Sequence, residues 1–94
     1  MLFEWDRKKN ISNVKKHQIS FELAASIFDD PLHLSVLDKK EHHEERWITL
    51  GQSATGELLV VIHTYKGTPE HEVIRIISAR EATKREKKQY EEGV

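Results

Sequence analysis

The chain has 94 residues, a length that supports one small domain with a modest hydrophobic core. It contains no cysteine, which excludes disulfide frameworks and thiolate metal sites, and no apolar run approaches the ~18 residues of a membrane helix. Its first residues, M-L-F-E, do not resemble a signal peptide. We therefore expect a single domain spanning residues 1–94, with a composition that is compatible with the cytoplasm.

The charges are unevenly distributed along the chain. The net charge of −1 argues against a generic nucleic-acid binder. However, residues 1–17 carry five Lys/Arg against two acids, and residues 74–94 carry six against four. Residues 18–73 carry four Lys/Arg against ten acids. If the fold brings the two ends together, the molecule acquires a positive face, while the acidic middle suits either a partner or solubility.

The first third of the chain predicts a short strand and two helices. Large side chains alternate over Leu2–Trp5, which indicates a strand. Asp6 is a good N-cap for a helix from Arg7 to Lys16. Ser20 caps a second helix over residues 21–28, where apolar residues recur at helical spacing.

From residue 32 onward the apolar period changes to two, which predicts strands. The four predicted strands are residues 32–37, 46–53, 58–63 and 73–78. They are separated by a charged loop at residues 38–45 and by turns at residues 54–56 and 65–70. Because these strands are sequential and mostly joined by short turns, we expect an antiparallel meander.

The strongest local signal is Val73–Arg80, an apolar strand that contains Arg75. Ser78, followed three residues later by Glu81, predicts a capping box that begins a final helix over residues 79–92. This helix has few apolar residues, so we expect it either to dock loosely or to contact another molecule. The order of strand, two helices, four antiparallel strands and helix is that of an α+β domain.

The chemistry available to the chain is a set of cations and titratable groups. The sequence has no glycine-rich phosphate loop, and the adjacent His42 and His43 fall in a predicted loop without fixed metal-binding geometry. The remaining candidates are Lys16, His17, Glu44, Glu45, Arg46, Arg75, Arg80, Glu86 and Tyr90. These residue types suit cleavage of RNA by its own 2′-hydroxyl, in which a base and an acid move protons while cations hold the phosphate. The simpler alternative is that the arginines pair with local acids on a solvated surface.

Several motifs fall along nearly the whole chain. They are F-E-W-D at Phe3–Asp6, Asn13 with K-H at Lys16-His17, S-F-E at Ser20–Glu22, F-D-D-P at Phe28–Pro31, E-E-R at Glu44–Arg46 with Gly51, and I-R-I-I-S-A-R at Ile74–Arg80 with Ala82, Glu86 and Tyr90. Together they resemble the BrnT toxins of bacterial type II toxin–antitoxin systems, relatives of the RelE-like ribonucleases. The closing motif is the most distinctive. Members usually carry glycine after K-H, whereas this chain has Gln18.

The resemblance implies a RelE-like fold of helices against an antiparallel sheet. It implies an endoribonuclease toxin that inhibits translation and growth and needs no metal or other cofactor. It further implies an RNA substrate and a BrnA-like ribbon-helix-helix antitoxin, with which the toxin would form a heterotetramer that represses its own operon. Operator DNA would be contacted only through the antitoxin, and no membrane would be involved.

Carried onto matching positions, the resemblance also implies a set of functional residues. The catalytic set is Lys16, His17, Arg46, Arg75 and Arg80, with Glu45 and Glu86 in supporting positions. His17 would do acid/base work, while phosphate would be held by Lys16, Arg46 and Arg80. Arg75 would either join them or orient Glu45. The alternative function is a non-catalytic protein-interaction module, which the acidic middle and the sparse final helix suggest.

Overall fold

The computed structural model describes residues 1–39 and 44–93 as a five-stranded sheet with helices on both faces. The strands are β1 (Leu2–Trp5), β2 (Leu34–Asp38), β3 (Arg46–Gln52), β4 (Leu58–Thr68) and β5 (His71–Glu81). The helices are α1 (Arg7–His17), α2 (Phe21–Ala25), which continues into a 3-10 turn at Ser26–Asp29, and α3 (Lys84–Glu92). In these two ranges no helix is long and apolar enough to cross a membrane. The predicted loop geometry of His42 and His43 lies outside the described residues.

The strands lie in the order β1-β5-β4-β3-β2. Strands β2 to β5 pair antiparallel with their neighbours in the chain, as the alternating pattern predicts. β1 joins the other edge in parallel, with Phe3 opposite Ile74 of β5. The predicted four-stranded antiparallel sheet is therefore corrected to a mixed sheet of five strands, because α1 and α2 carry the chain across one face from one edge to the other. The narrower RelE-like assignment stays a prediction.

Both faces of the sheet bury apolar side chains, since successive residues of a strand point in opposite directions. Leu59 of β4 packs in a cluster with Phe21 of α2. Its neighbour Val60 points the other way and packs with Leu50, with Tyr90 of α3 against them. The central strand is thus covered by α1 and α2 on one side and by α3 on the other.

A hydrogen bond ties α3 to the rest of the molecule. The Tyr90 hydroxyl donates to the Asp30 carboxylate at 2.6 Å, and the same Asp30 oxygen accepts from the backbone N–H of Gln52 at 2.9 Å. The bond to Asp30 raises the pKa of Tyr90 to about 12. The final helix is therefore docked by a specific contact rather than loosely, despite its few apolar residues.

The final helix begins later than predicted, at Lys84. Ser78 lies inside β5, which continues its pairing with β4 as far as Glu81. The capping box is formed by the next matching pattern: Thr83 accepts from the Glu86 N–H at 3.2 Å, and the Glu86 carboxylate accepts from the Thr83 N–H at 2.8 Å. The predicted capping box at Ser78 is wrong because strand pairing overrides that local signal.

The predicted turn at residues 65–70 is also corrected. β4 runs through Thr68, and the chain reverses at residues 69–70. Gly67 lies inside the strand with a φ of +94°, and a Cβ atom there would lie 2.2 Å from the carbonyl oxygen of His71. The glycine that indicates a turn in the sequence instead permits close approach of the two strands.

A β-bulge in β5 decides which way two arginines point. The register of the ladder shifts between Ile62 and His63 of β4, which leaves Ile77 as an extra residue on β5. Arg75 and Arg80 are separated by five residues, so a regular strand would direct them to opposite faces. The extra residue places both on the face that carries α3.

Candidate functional site

An open cavity of about 540 Å³ lies where the C-terminal end of α1 meets the end of β5. Its lining residues are Lys16, His17, Gln18, Ile19, Leu23, Glu57, Arg80, Glu81 and Thr83. Three of the five predicted catalytic residues, Lys16, His17 and Arg80, therefore share one cavity. Across residues 1–39 and 44–93, no group of three or more His, Asp or Glu side chains is arranged to hold a metal ion.

Asn13 fixes α1 against β5 beside this cavity. β1 accompanies β5 only as far as Ile76, and the Asn13 side chain takes over the strand edge beyond that point. Its Nδ2 donates to the carbonyl oxygen of Ala79 at 2.8 Å, and its Oδ1 accepts from the Ala79 N–H at 3.2 Å. Because Lys16 and His17 follow Asn13 by one helical turn, they are held next to the end of β5.

The exit from α1 is tight, although the residue there is a glutamine rather than a glycine. Gln18 adopts a left-handed conformation with φ 58° and ψ 29°, and its N–H donates to the carbonyl of Val14 at 2.8 Å. The chain then turns at once to Ile19, whose carbonyl accepts from the Asn13 side chain at 2.9 Å. This turn brings the start of α2 to the cavity wall.

Arg80 is held by a bidentate ion pair with Glu86 of α3. The two guanidinium nitrogens Nη1 and Nη2 lie 2.7 Å and 3.0 Å from the two carboxylate oxygens. The bond to Arg80 lowers the pKa of Glu86 to about 2, and the N–H of Thr83 contributes to the same shift. The pair is therefore charged at neutral pH, and Glu86 orients the Arg80 guanidinium at the cavity.

The sequence matches a family model described as the ribonuclease toxin BrnT of type II toxin–antitoxin systems over residues 5–86. The chain belongs to the BrnT family. The fold is similar to the crystal structure of the Brucella abortus ribonuclease toxin BrnT, with a TM-score of 0.58 and 21% identity over 89% of this chain and 100% of that chain. A comparison with curated proteins finds no significant match.

Membership in the BrnT family makes this chain a ribonuclease toxin with an RNA target and an antitoxin partner. The alternative of a non-catalytic interaction module is therefore not supported. The positions of the predicted residues in the sheet show which of them lie close together.

Two predicted arginines of this BrnT family member lie farther along the face that carries Arg80. Arg75 stands opposite Thr64 of β4, whereas Arg80 stands opposite Val60. Four residues of a strand separate the two rows, which corresponds to roughly 13 Å. Arg46, at the start of β3, lies on the same face near the Thr64 row. The five predicted residues therefore form two groups rather than one.

The acid beside Arg75 also differs from the prediction. Within the described ranges Arg75 pairs with Glu4 of β1, at 3.6 Å from Nη1, rather than with Glu45. The same Glu4 oxygen lies 2.6 Å from the Lys66 ammonium, which lowers the pKa of Glu4. Glu45 is exposed and lines a separate groove beside Trp47. Glu45 therefore does not line the cavity of Lys16, His17 and Arg80.

Two carboxylates that the sequence analysis did not select also line the BrnT cavity, Glu57 and Glu81. Glu57 Oε2 accepts hydrogen bonds from the hydroxyls of Ser53, at 2.8 Å, and of Thr55. The Thr55 bond, followed by the Ser53 bond, lowers the pKa of Glu57. The sequence analysis predicted only a turn just before Glu57. Glu57 lies near β5 because β4 pairs with β5, and no local motif in the sequence indicates that pairing.

Proposed function

We propose that this BrnT family member is a metal-independent endoribonuclease in which the RNA 2′-hydroxyl attacks the adjacent phosphate. The observation that supports this proposal is the shared cavity of Lys16, His17 and Arg80. Lys16 and Arg80 would hold the phosphate and the negative charge that grows in the transition state. His17 would exchange a proton, since an imidazole can act as a general acid or a general base. The products would be a 2′,3′-cyclic phosphate and a 5′-hydroxyl.

Arg80 is suited to this role because it is both fixed and partly free. A guanidinium group has five N–H donors; the ion pair with Glu86 uses two of them, and Nη1 also donates to the Glu81 carbonyl at 3.2 Å. The Arg80 side chain is 43% exposed, so a phosphate can reach the remaining donors. An orientation that is set before the substrate arrives costs no reorganisation during the reaction. Glu86 is therefore proposed as a positioning residue for Arg80.

Arg46 and Arg75 are proposed to bind the RNA backbone away from the cleaved bond. Both lie on the same face of the sheet as Arg80, and their row is roughly 13 Å from the Arg80 row along the strands. A single strand that enters the cavity can run across this face and place other phosphates near these arginines. Their contribution would be to binding rather than to the chemical step.

The biological setting is proposed from the family. A ribbon-helix-helix antitoxin of the BrnA type would neutralise the ribonuclease in the cytoplasm, and cleavage by free toxin would inhibit translation and growth. The two proteins would form a heterotetramer that represses the operon, with the antitoxin making the DNA contacts. Co-expression with the product of the neighbouring reading frame, followed by gel filtration and operator binding, tests this arrangement. A toxin that remains unbound, or that binds operator DNA by itself, would contradict it.

The catalytic proposal is tested with purified protein and end-labelled RNA in the presence of EDTA. We expect cleavage in EDTA that leaves cyclic phosphate ends, and a loss of about 10²-fold in kcat/KM for Lys16→Ala and for Arg80→Ala. Lys8→Ala is the matched control, because Lys8 is an exposed lysine in the first turn of the same helix. Cleavage that EDTA abolishes, or that both cavity variants retain in full, would overturn the proposal.

A further inference from the structure

Glu57 lines the cavity, and the mechanism proposed above gives it no role. Glu57 follows the turn between β3 and β4, where the Ser53 N–H donates to the Glu57 carbonyl at 2.8 Å. The hydroxyls of Ser53 and Thr55 both donate to the same carboxylate oxygen, Oε2. In the described structure the other oxygen, Oε1, keeps its lone pairs for a further donor. The carboxylate is thus anchored through one oxygen only.

A fixed negative charge in a phosphate-binding cavity needs an explanation, because it repels the substrate. Lys16 and Arg80 line the same cavity and offset this repulsion. The proposed cleavage has one task that neither cation can perform while charged, which is to accept the proton of the attacking 2′-hydroxyl. An ionised carboxylate with a free oxygen can accept it.

Resting on the proposed ribonuclease function, we infer that Glu57 is the general base of the cleavage reaction and that His17 is its general acid. Glu57 Oε1 takes the proton from the 2′-hydroxyl as the bond between O2′ and phosphorus forms. The bond between phosphorus and O5′ breaks, and the protonated His17 imidazole gives its proton to O5′. The step leaves a neutral Glu57 and a neutral His17, and exchange with water restores both protonation states.

The two titratable groups reach the cavity from different elements of the fold. His17 comes from the last turn of α1, and Glu57 comes from the turn between β3 and β4. Lys16 and Arg80 complete the lining from α1 and β5. Glu81 is the other carboxylate of the cavity, but in the part of the chain that is described its side chain has no hydroxyl anchor.

The first test compares variants by their kcat/KM on the same RNA. Glu57→Gln keeps the shape of the side chain and removes the base, so we expect a loss of about 10²–10⁴-fold. Glu81→Gln removes the same charge from the same cavity and should change the rate much less. Glu70→Gln, in the turn at the opposite end of β4, should match the wild type. An equal loss of kcat/KM in Glu57→Gln and Glu81→Gln would show that removing a negative charge from the cavity explains the effect. It would overturn the assignment of Glu57 as the base.

The second test separates base from acid. RNA in which sulfur replaces the 5′-bridging oxygen at the mapped cleavage position has a leaving group that needs no proton. His17→Ala should recover most of its activity on this substrate, whereas Glu57→Gln should remain impaired, because the 2′-hydroxyl must still lose its proton. Recovery of Glu57→Gln and not of His17→Ala would reverse the two roles and refute the inference as stated.

A third test addresses the anchor itself. The double variant Ser53→Ala, Thr55→Val removes both hydroxyls, so the acidic limb of the pH profile of kcat/KM should move to higher pH while cleavage at neutral pH is retained. An acidic limb that stays in place in this variant, or that persists in Glu57→Gln, would show that another group is the base. If the wild type cleaves in EDTA and only the Glu57 tests fail, the ribonuclease proposal stands without this inference. If the wild type does not cleave, both fall.

Discussion

Nε2 of His63 lies 2.6 Å from Oγ1 of Thr49, in the interior of the sheet. The Thr49 hydroxyl is in turn 2.7 Å from that of Ser35, so a polar row crosses β4, β3 and β2. The His63 side chain is completely buried, and the Phe28 ring stands edge-on to it at 4.9 Å between centroids. Burial lowers the pKa of His63 to about 4. The histidine is therefore neutral in the folded protein at physiological pH.

This buried histidine predicts that the protein loses stability in mild acid. In the unfolded chain His63 would titrate near its ordinary pKa of about 6.5, so between pH ~6.5 and ~4 the unfolded state binds a proton that the folded state does not. The free energy of unfolding should fall across that window by up to about 3 kcal/mol. Urea unfolding at pH 7.5 and pH 5 should show a smaller fall in the free energy of unfolding for His63→Leu than for the wild type. His71→Leu, at the exposed start of β5, is the control, and identical pH dependence in all three proteins would contradict the prediction.

Asn13 predicts a link between stability and cleavage. Its side chain makes three hydrogen bonds to buried backbone groups of Ile19 and Ala79, so Asn13→Ala leaves those groups unpaired. We expect a loss of roughly 2–4 kcal/mol in the free energy of unfolding and a lower kcat, because Lys16 is no longer held at the cavity. Chemical denaturation and single-turnover cleavage measure the two effects. Ser12→Ala, exposed on the same helix, should change neither, and a fully active, fully stable Asn13→Ala would contradict the prediction.

Gln18 predicts a stabilising substitution. A non-glycine residue in a left-handed conformation is strained by its Cβ atom, and the bond from the Gln18 side chain to the Lys15 carbonyl, at 3.2 Å, relieves only part of this. Gln18→Gly should raise the free energy of unfolding by about 1 kcal/mol. The same substitution inside α3, Gln89→Gly, should lower it by a similar amount. If both substitutions destabilise the protein alike, the strain at Gln18 is not significant.

The order of elements could be predicted because each depends on a local signal that the fold respects. The caps at Asp6 and Ser20 begin α1 and α2 as expected. The apolar period of two correctly predicts the four strands that appear as β2 to β5. These signals lie within a few residues of the structure that they specify, so no tertiary information is needed.

The predictions that failed depend on pairing between distant segments. Two S/T-x-x-E patterns compete at the end of β5, and only the extent of its ladder with β4 decides that Thr83 rather than Ser78 caps the helix. The bulge at Ile77 leaves no mark in the sequence, yet it sets the direction of Arg75 relative to Arg80. The resemblance likewise gave the five candidate residues as one set, whereas on the sheet they lie in two groups.

That separation predicts two kinds of kinetic defect. Arg80→Ala should lower kcat, because Arg80 stands at the proposed chemical step, whereas Arg75→Ala and Arg46→Ala should mainly raise KM. Each of the latter two should also reduce the slope of log affinity against log salt by about 0.7, the value for one phosphate contact on a single strand. Cleavage and RNA binding measured over a range of salt concentrations give both quantities. Arg7→Ala, an exposed arginine of α1, should leave the slope unchanged. A loss of kcat in Arg75→Ala as large as that in Arg80→Ala would contradict the assignment of the two arginines, whose rows lie roughly 13 Å apart along the strands, to different phosphates.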